Sequence, residues 1–230
     1  MHKCRKRVAL TGTIALLAMV SAVWADVALP PGTTLYNPVL GTPPAYTSVL
    51  PAWALGVPLA TLVGPMSLDY SGIIVSKVFD VGGGNLGFTY ALAVVGGTDL
   101  RRVTTAALGW AGVGILDAGA DGSGFSTAVG VGGWTNGNPN FILRKADDSS
   151  LVAQFAASDL GTALNPGNFS AVIFFKTDSQ AWQESTAGLL DSALVGKASI
   201  LAPAPIPAPA AVLLGAIGFG LVGRIKRRFQ

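Results

Sequence analysis

The chain has one histidine and one cysteine, His2 and Cys4, and both precede its first long apolar run. Everything downstream lacks the residues for a Ser-His-Asp or Cys-His nucleophile, a zinc centre with His or Cys ligands, or a disulfide framework. What remains is oxygen and aromatic chemistry. Asp117-Ala118-Gly119-Ala120-Asp121-Gly122-Ser123-Gly124 mixes oxygen-bearing side chains with glycine, as a hard cation requires of a flexible loop. A calcium ion there would use Asp117, Asp121 and Ser123. The downstream bidentate glutamate of an EF-hand is missing, and a glycine-rich hairpin loop explains the same letters, so neither a metal nor any other cofactor is expected. Glycoside hydrolysis needs two carboxylates flanking the scissile bond. Glu184 is the single glutamate, and most aspartates sit beside Gly or Ser in predicted turns.

Sugar rings also stack on exposed indoles, which makes Trp110, Trp134 and Trp182 candidates. Trp134 is followed by Thr135-Asn136-Gly137-Asn138-Pro139-Asn140, so a glycan could meet Trp134 together with the amides of Asn136 and Asn138. The competing reading is a structural loop. Gly82-Gly83-Gly84 and Gly130-Val131-Gly132-Gly133 lack the Lys-Ser/Thr of a phosphate-binding loop and read as hairpin bends. Asn168-Phe169-Ser170 matches a glycosylation sequon, read here as incidental.

Strands must position these residues. Gly72 to Phe79 is β-branched and ends in the turn cluster Asp80-Val81-Gly82-Gly83-Gly84-Asn85, after which Leu86 to Val95 reads as its antiparallel neighbour. The two-residue period puts Phe88, Tyr90 and Leu92 on one face. Leu100 to Trp110, Phe125 to Val131, Phe141 to Arg144, Leu151 to Phe155, Ser170 to Phe175 and Leu194 to Leu201 complete a set of about eight, spaced as in an antiparallel β-sandwich. Helix is scarce: Gln180 to Asp191 could form a turn or two. Arg101-Arg102 and Arg144-Lys145 read as solvated strand ends. From Asp26 to Pro58 the repeated prolines predict an irregular arm along the domain, with Tyr36, Tyr46 and Trp53 as tethers.

The two ends have a composition of their own. Lys3, Arg5, Lys6 and Arg7 precede the apolar stretch Val8 to Val20, and Val23-Trp24-Ala25 suits a cut between Ala25 and Asp26, so residues 1–25 read as a secretory signal peptide. At the other end Pro203, Pro205, Pro207 and Pro209 alternate in a stiff extended spacer. An uncharged run from Ala210 to Val222 follows, then Arg224, Lys226, Arg227 and Arg228. A helix of that run would be about 20 Å long against a hydrocarbon core of about 30 Å, enough to enter a bilayer but a poor permanent span. The basic cluster would stay cytoplasmic. Between the ends lie seven basic and twelve acidic residues, a net charge of −5, so the alkaline whole-chain pI belongs to the termini and no nucleic-acid partner is expected.

Pro-x-Pro, a short apolar run and a terminal basic cluster, in that order, resemble the PEP-CTERM sorting signal of Gram-negative surface proteins. Pro207-Ala208-Pro209 occupies the motif's place, with Ala208 where glutamate is usual. The resemblance implies recognition and removal of the tail by an exosortase. The segment from about Leu68 to Pro203 is similar to the ectodomain common among such proteins, through Gly87-Phe88-Thr89-Tyr90, Asp99-Leu100-Arg101-Arg102-Val103, Asn165-Pro166-Gly167-Asn168-Phe169-Ser170-Ala171-Val172-Ile173 and Lys176-Thr177-Asp178. This similarity implies an exported sandwich associated with exopolysaccharide, with no catalytic residues to carry over.

The expected organisation is a signal peptide (1–25), an arm (26–58), an antiparallel all-β sandwich (59–202), a Pro-rich sorting motif (203–209), a short transmembrane helix (210–223) and a basic cytoplasmic tail (224–230). The expected role is a non-enzymatic exported protein whose partners are the secretion machinery, an exosortase-like protease, the inner membrane in transit and exopolysaccharide. Its destination would be the cell surface or extracellular matrix. The rivals are a carbohydrate-binding or adhesive module, a hydrolase without His or Cys, and a permanently tail-anchored envelope protein.

Overall fold

A computed structural model describes residues 27–36, 38, 44–45, 47–96, 102–105, 110, 112–122, 136–147, 150–155, 164, 166–191 and 194–204. The protein is all-β, its sheets almost wholly antiparallel. The arm supplies β1 (Thr34–Tyr36) and a single 3-10 turn at Ala52–Leu55. Then come β2 (Ala60–Pro65), β3 (Ser67–Leu68), β4 (Ser71–Gly82), β5 (Asn85–Gly96), β6 (Arg102–Thr105) and β7 (Ile115–Asp121). The rest are β8 (Asn136–Gly137), β9 (Phe141–Arg144), β10 (Leu151–Gln154), β11 (Asn168–Ser170), β12 (Val172–Thr177), β13 (Trp182–Asp191) and β14 (Leu194–Pro203).

Among the described residues these strands form two seven-stranded sheets. The first runs β1-β9-β10-β6-β13-β14-β3. In the second, β2-β4-β5 continues into β11 and β12, which pair in succession along the other edge of β5; β8 lies beyond β11 in parallel and β7 beyond β12. The β4–β5 hairpin organises that sheet. Gly82, Gly83 and Gly84 all take positive φ, the conformation its tight turn demands and one that side chains disfavour.

The sheets face each other across one apolar core. From the second sheet come Ile74, Val78, Phe88, Leu92, Ile173 and Phe175; from the first, Ile142, Leu151, Leu189 and Ile200. A void of about 20 Å³ remains between them, lined by Tyr90, Leu92, Ala153, Ala187 and other apolar neighbours. By volume it would admit about one water, but so apolar a lining leaves it dry.

Two side chains of the second sheet hold β14 of the first. The Tyr90 hydroxyl donates to the Leu201 carbonyl at 2.7 Å, and the Leu201 N–H donates to Ser76 Oγ at 2.9 Å. Ser76 in turn donates to the Leu62 carbonyl at 3.3 Å. Past its short pairing with β3, β14 lies against β2, where a Cβ on Gly64 would overlap the Ser199 carbonyl. Both polar groups of the Leu201 peptide are thus satisfied inside the interior, as burial requires.

Three expectations need correction. Gln180 to Asp191 is no helix: β13 pairs with β14 over ten positions, and its residues alternate, with Ala187 and Leu189 buried and Thr186 exposed. Asp117 to Asp121 is strand β7 rather than loop, because its small residues fit beside β12 under the arm. Arg144 is no solvated strand end; it is 2% exposed, while Lys145 beside it is exposed. Phe125 to Val131 and Tyr46 lie outside the described residues, as do the segments read as signal peptide and transmembrane helix. Among the described residues no helix is long and apolar enough to cross a membrane.

Burial holds the Tyr90 hydroxyl neutral well above its ordinary pKa near 10.0. In the unfolded chain the same phenol ionises, so its contribution to stability is whole below pH 10 and is lost as pH rises beyond it. Tyr90→Phe should lower stability at pH 7 by about 1–3 kcal/mol, because the Leu201 carbonyl loses its donor, and should flatten the alkaline limb. Urea midpoints measured from pH 7 to 11 test both effects.

Candidate functional site

Strand β5 is buried on both faces from Leu86 to Val94, so the second sheet needs a cover on its outer side. The arm supplies it. Leu50 packs into a small outer cluster with Ala91, Ala93, Phe169 and Val172. Trp53, on the 3-10 turn, stands edge-on to Phe79 at 5.8 Å and to Phe174 at 6.2 Å. Its indole occupies the space over Gly87, where any Cβ would overlap the ring. Arm and sheet also share backbone bonds: Thr47 N–H donates to the Ala118 carbonyl, Ala120 N–H to the Thr47 carbonyl, and Ala118 N–H to the Val27 carbonyl.

The two aspartates of the calcium reading serve this docking. Asp117 Oδ1 accepts from the Val27 N–H at 2.9 Å and from Thr47 Oγ1 at 3.5 Å. Asp121 Oδ2 accepts from the Leu50 N–H at 2.8 Å. Both carboxylates are buried on the outer face of β7, and a cation would have to compete with the arm for them. Asp80 and Asp178 likewise accept from main-chain N–H groups, those of Gly82 and Gly114. No group of three His, Cys, Asp or Glu residues is gathered among the described residues. Ser123 lies outside them.

The aromatic candidates divide. Trp110 is fully buried at the centre of the core, with Phe175 at 5.3 Å and Phe88 at 5.7 Å, so it offers no platform to a sugar. Trp182 is 40% exposed at the start of β13. Trp134 lies outside the described residues. Asn136 sits in β8, paired with Phe169; Asn138 is exposed and covers Gly122, which brings it beside Asp121 at the end of β7. Ala25, Asp26, Pro207, Ala208, Pro209, Arg224, Lys226, Arg227 and Arg228 are outside the described residues.

Sequence reasoning missed Arg144. Its guanidinium donates to the carbonyls of Leu29 at 3.2 Å, Trp110 at 3.3 Å and Val113 at 2.5 Å, joining the arm to the segment before β7. The signal was present: in Phe-Ile-Leu-Arg the two-residue period puts Arg144 on the inward face with Ile142. Arginine suits the position because one planar fork reaches several acceptors. Comparison with known proteins returns no matching family model, no matching curated protein and no matching solved structure. The fold therefore defines an all-β, sandwich-like class with a strapped outer face.

Asp121→Ala should free the Leu50 amide and speed its hydrogen exchange and that of neighbouring arm amides, with a stability loss of about 1–3 kcal/mol. The protected core of β5 should change far less. Arg144→Ala should cost more, about 3–5 kcal/mol, because buried polar groups lose their partner and a void opens. Thermal and urea unfolding of the two variants tests the order.

Proposed function

We propose that this chain is a non-enzymatic exported protein of the cell surface or extracellular matrix, delivered by two terminal address segments and associated there with exopolysaccharide. The N-terminal segment directs secretion. The C-terminal one holds the chain briefly in the inner membrane until an exosortase-like protease removes it. The observation that carries this reading is the tail itself: alternating prolines around Pro207-Ala208-Pro209, the apolar run Ala210 to Val222, and the cluster Arg224, Lys226, Arg227 and Arg228.

The fold is compatible with such delivery and supports it in one respect. Among the described residues, the first and last are both bonded into the fold: the Val27 N–H is held by Asp117, and the Ala204 N–H donates to the Ala181 carbonyl at 2.9 Å. Removal of 1–25 and of everything beyond the Pro-rich spacer would leave these bonds untouched. The carboxylates that bind backbone amides, and the burial of Trp110, also favour a structural role for residues that a hydrolase or lectin reading would have recruited.

Intact-mass measurement of the protein from membrane and from medium tests both cleavages. The medium form should begin at Asp26 and lack Arg224 to Gln230. A medium form that retains those seven residues would rule out tail processing. Deleting residues 210–230 should divert the protein from its surface destination; unchanged delivery would overturn the sorting role.

A further inference from the structure

The end of the sandwich at which the described chain stops, at Ala204, carries several exposed apolar side chains. Pro203 is the last residue of β14 and pairs with Trp182, the first of β13. Gln180, two residues earlier, lies over Gly84 in the β4–β5 turn, and the Leu86 N–H bonds to the Ser179 carbonyl. The exit is therefore at the hairpin end of the second sheet. Leu59 donates its N–H to the Val78 carbonyl, so the segment before it, leading from the 3-10 turn, reaches that same end. There Val57 is 91% exposed and Leu55 71%, with Leu59 and Trp182 also open to solvent.

We infer that Leu55, Val57, Leu59 and Trp182 form a rim that rests in the interface of the bilayer into which the tail inserts. The inference builds on the proposed membrane step and adds an orientation and a lipid contact. Its physical basis is reach. Six residue steps separate Ala204 from Ala210, about 19 Å at about 3.1 Å per residue in an extended proline-rich chain. The twelve-residue strands β4 and β5 are about 40 Å long, so the opposite end, with exposed Val95 and Leu68, lies beyond that reach. A helix about 10 Å shorter than the hydrocarbon core draws its flanking residues inward when its basic end is held at the far face. The spacer is then partly consumed and the exit end is brought down to the headgroups. Indole and branched aliphatic side chains are suited to that layer. Asp80 and Glu184 are exposed at the same end, so the lipid that fits is zwitterionic rather than strongly anionic.

The test uses the chain produced in a host without the processing protease, carrying Cys4→Ser and one added cysteine for a nitroxide label, in phosphatidylcholine vesicles. Labels are placed singly by Val57→Cys, Val95→Cys and, in the tail, Leu214→Cys. Oxygen and a water-soluble nickel complex report lipid and water contact. The expected result is a gain of oxygen and loss of nickel accessibility at Val57 on adding vesicles, with no change at Val95. If Leu214 enters lipid while Val57 keeps its aqueous values, the rim is overturned and the anchor stands. If neither label leaves water, both fail. Protection of Val57 that needs no vesicles and grows with protein concentration would mark contact between two copies and also overturn the lipid assignment.

Discussion

From Leu86 to Val94 strand β5 has no exposed face, and that one constraint dictates most of what surrounds it. Its inward residues Phe88, Tyr90 and Leu92 are met by the opposing sheet. Its outward residues Gly87, Thr89, Ala91 and Ala93 are small enough to take a second layer, and the arm is that layer. A chain without disulfides depends on area removed from water, at roughly 25 cal/mol per Å² of apolar surface. Covering the outer face enlarges the core without lengthening the sandwich. The buried aspartates make this possible, because arm backbone laid on a sheet would otherwise leave N–H groups without acceptors.

Much of the frame was legible from local pattern. The triple glycine between two apolar runs marked the central hairpin, and Phe141 to Arg144 emerged with its predicted bounds. What local pattern cannot convey is which distant segment a residue will meet. Trp182 to Asp191 has only moderate strand character, with a glycine and several polar residues; a ten-position ladder to β14 makes it a strand. The same holds for β7, whose glycines and aspartates look like a loop until β12 and the arm close on it. Tertiary pairing outweighed weak propensity in both places.

The partners of the candidate residues were hidden for a related reason. An aspartate beside glycine reads as a turn residue or a metal ligand, because its partner in sequence is all that can be seen. Asp117 meets Val27 ninety positions away and Asp121 meets Leu50 seventy-one positions away. Trp110 likewise looked available only until Phe88, Tyr90 and Phe175 surrounded it. Arg144 is the instructive exception, since alternation within its own four-residue strand already pointed it inward.

The clasp on Leu201 carries a temporal consequence. Ser76 and Leu201 are 125 positions apart, and Tyr90 and Leu201 are 111 apart. A polypeptide emerging amino end first cannot close this joint until nearly its whole length is present, and architectures dominated by such remote pairings fold on millisecond-to-second scales. During that interval the early strands lack their closing partner, and the polar groups of Ser76 and Tyr90 that will meet Leu201 stay open to water.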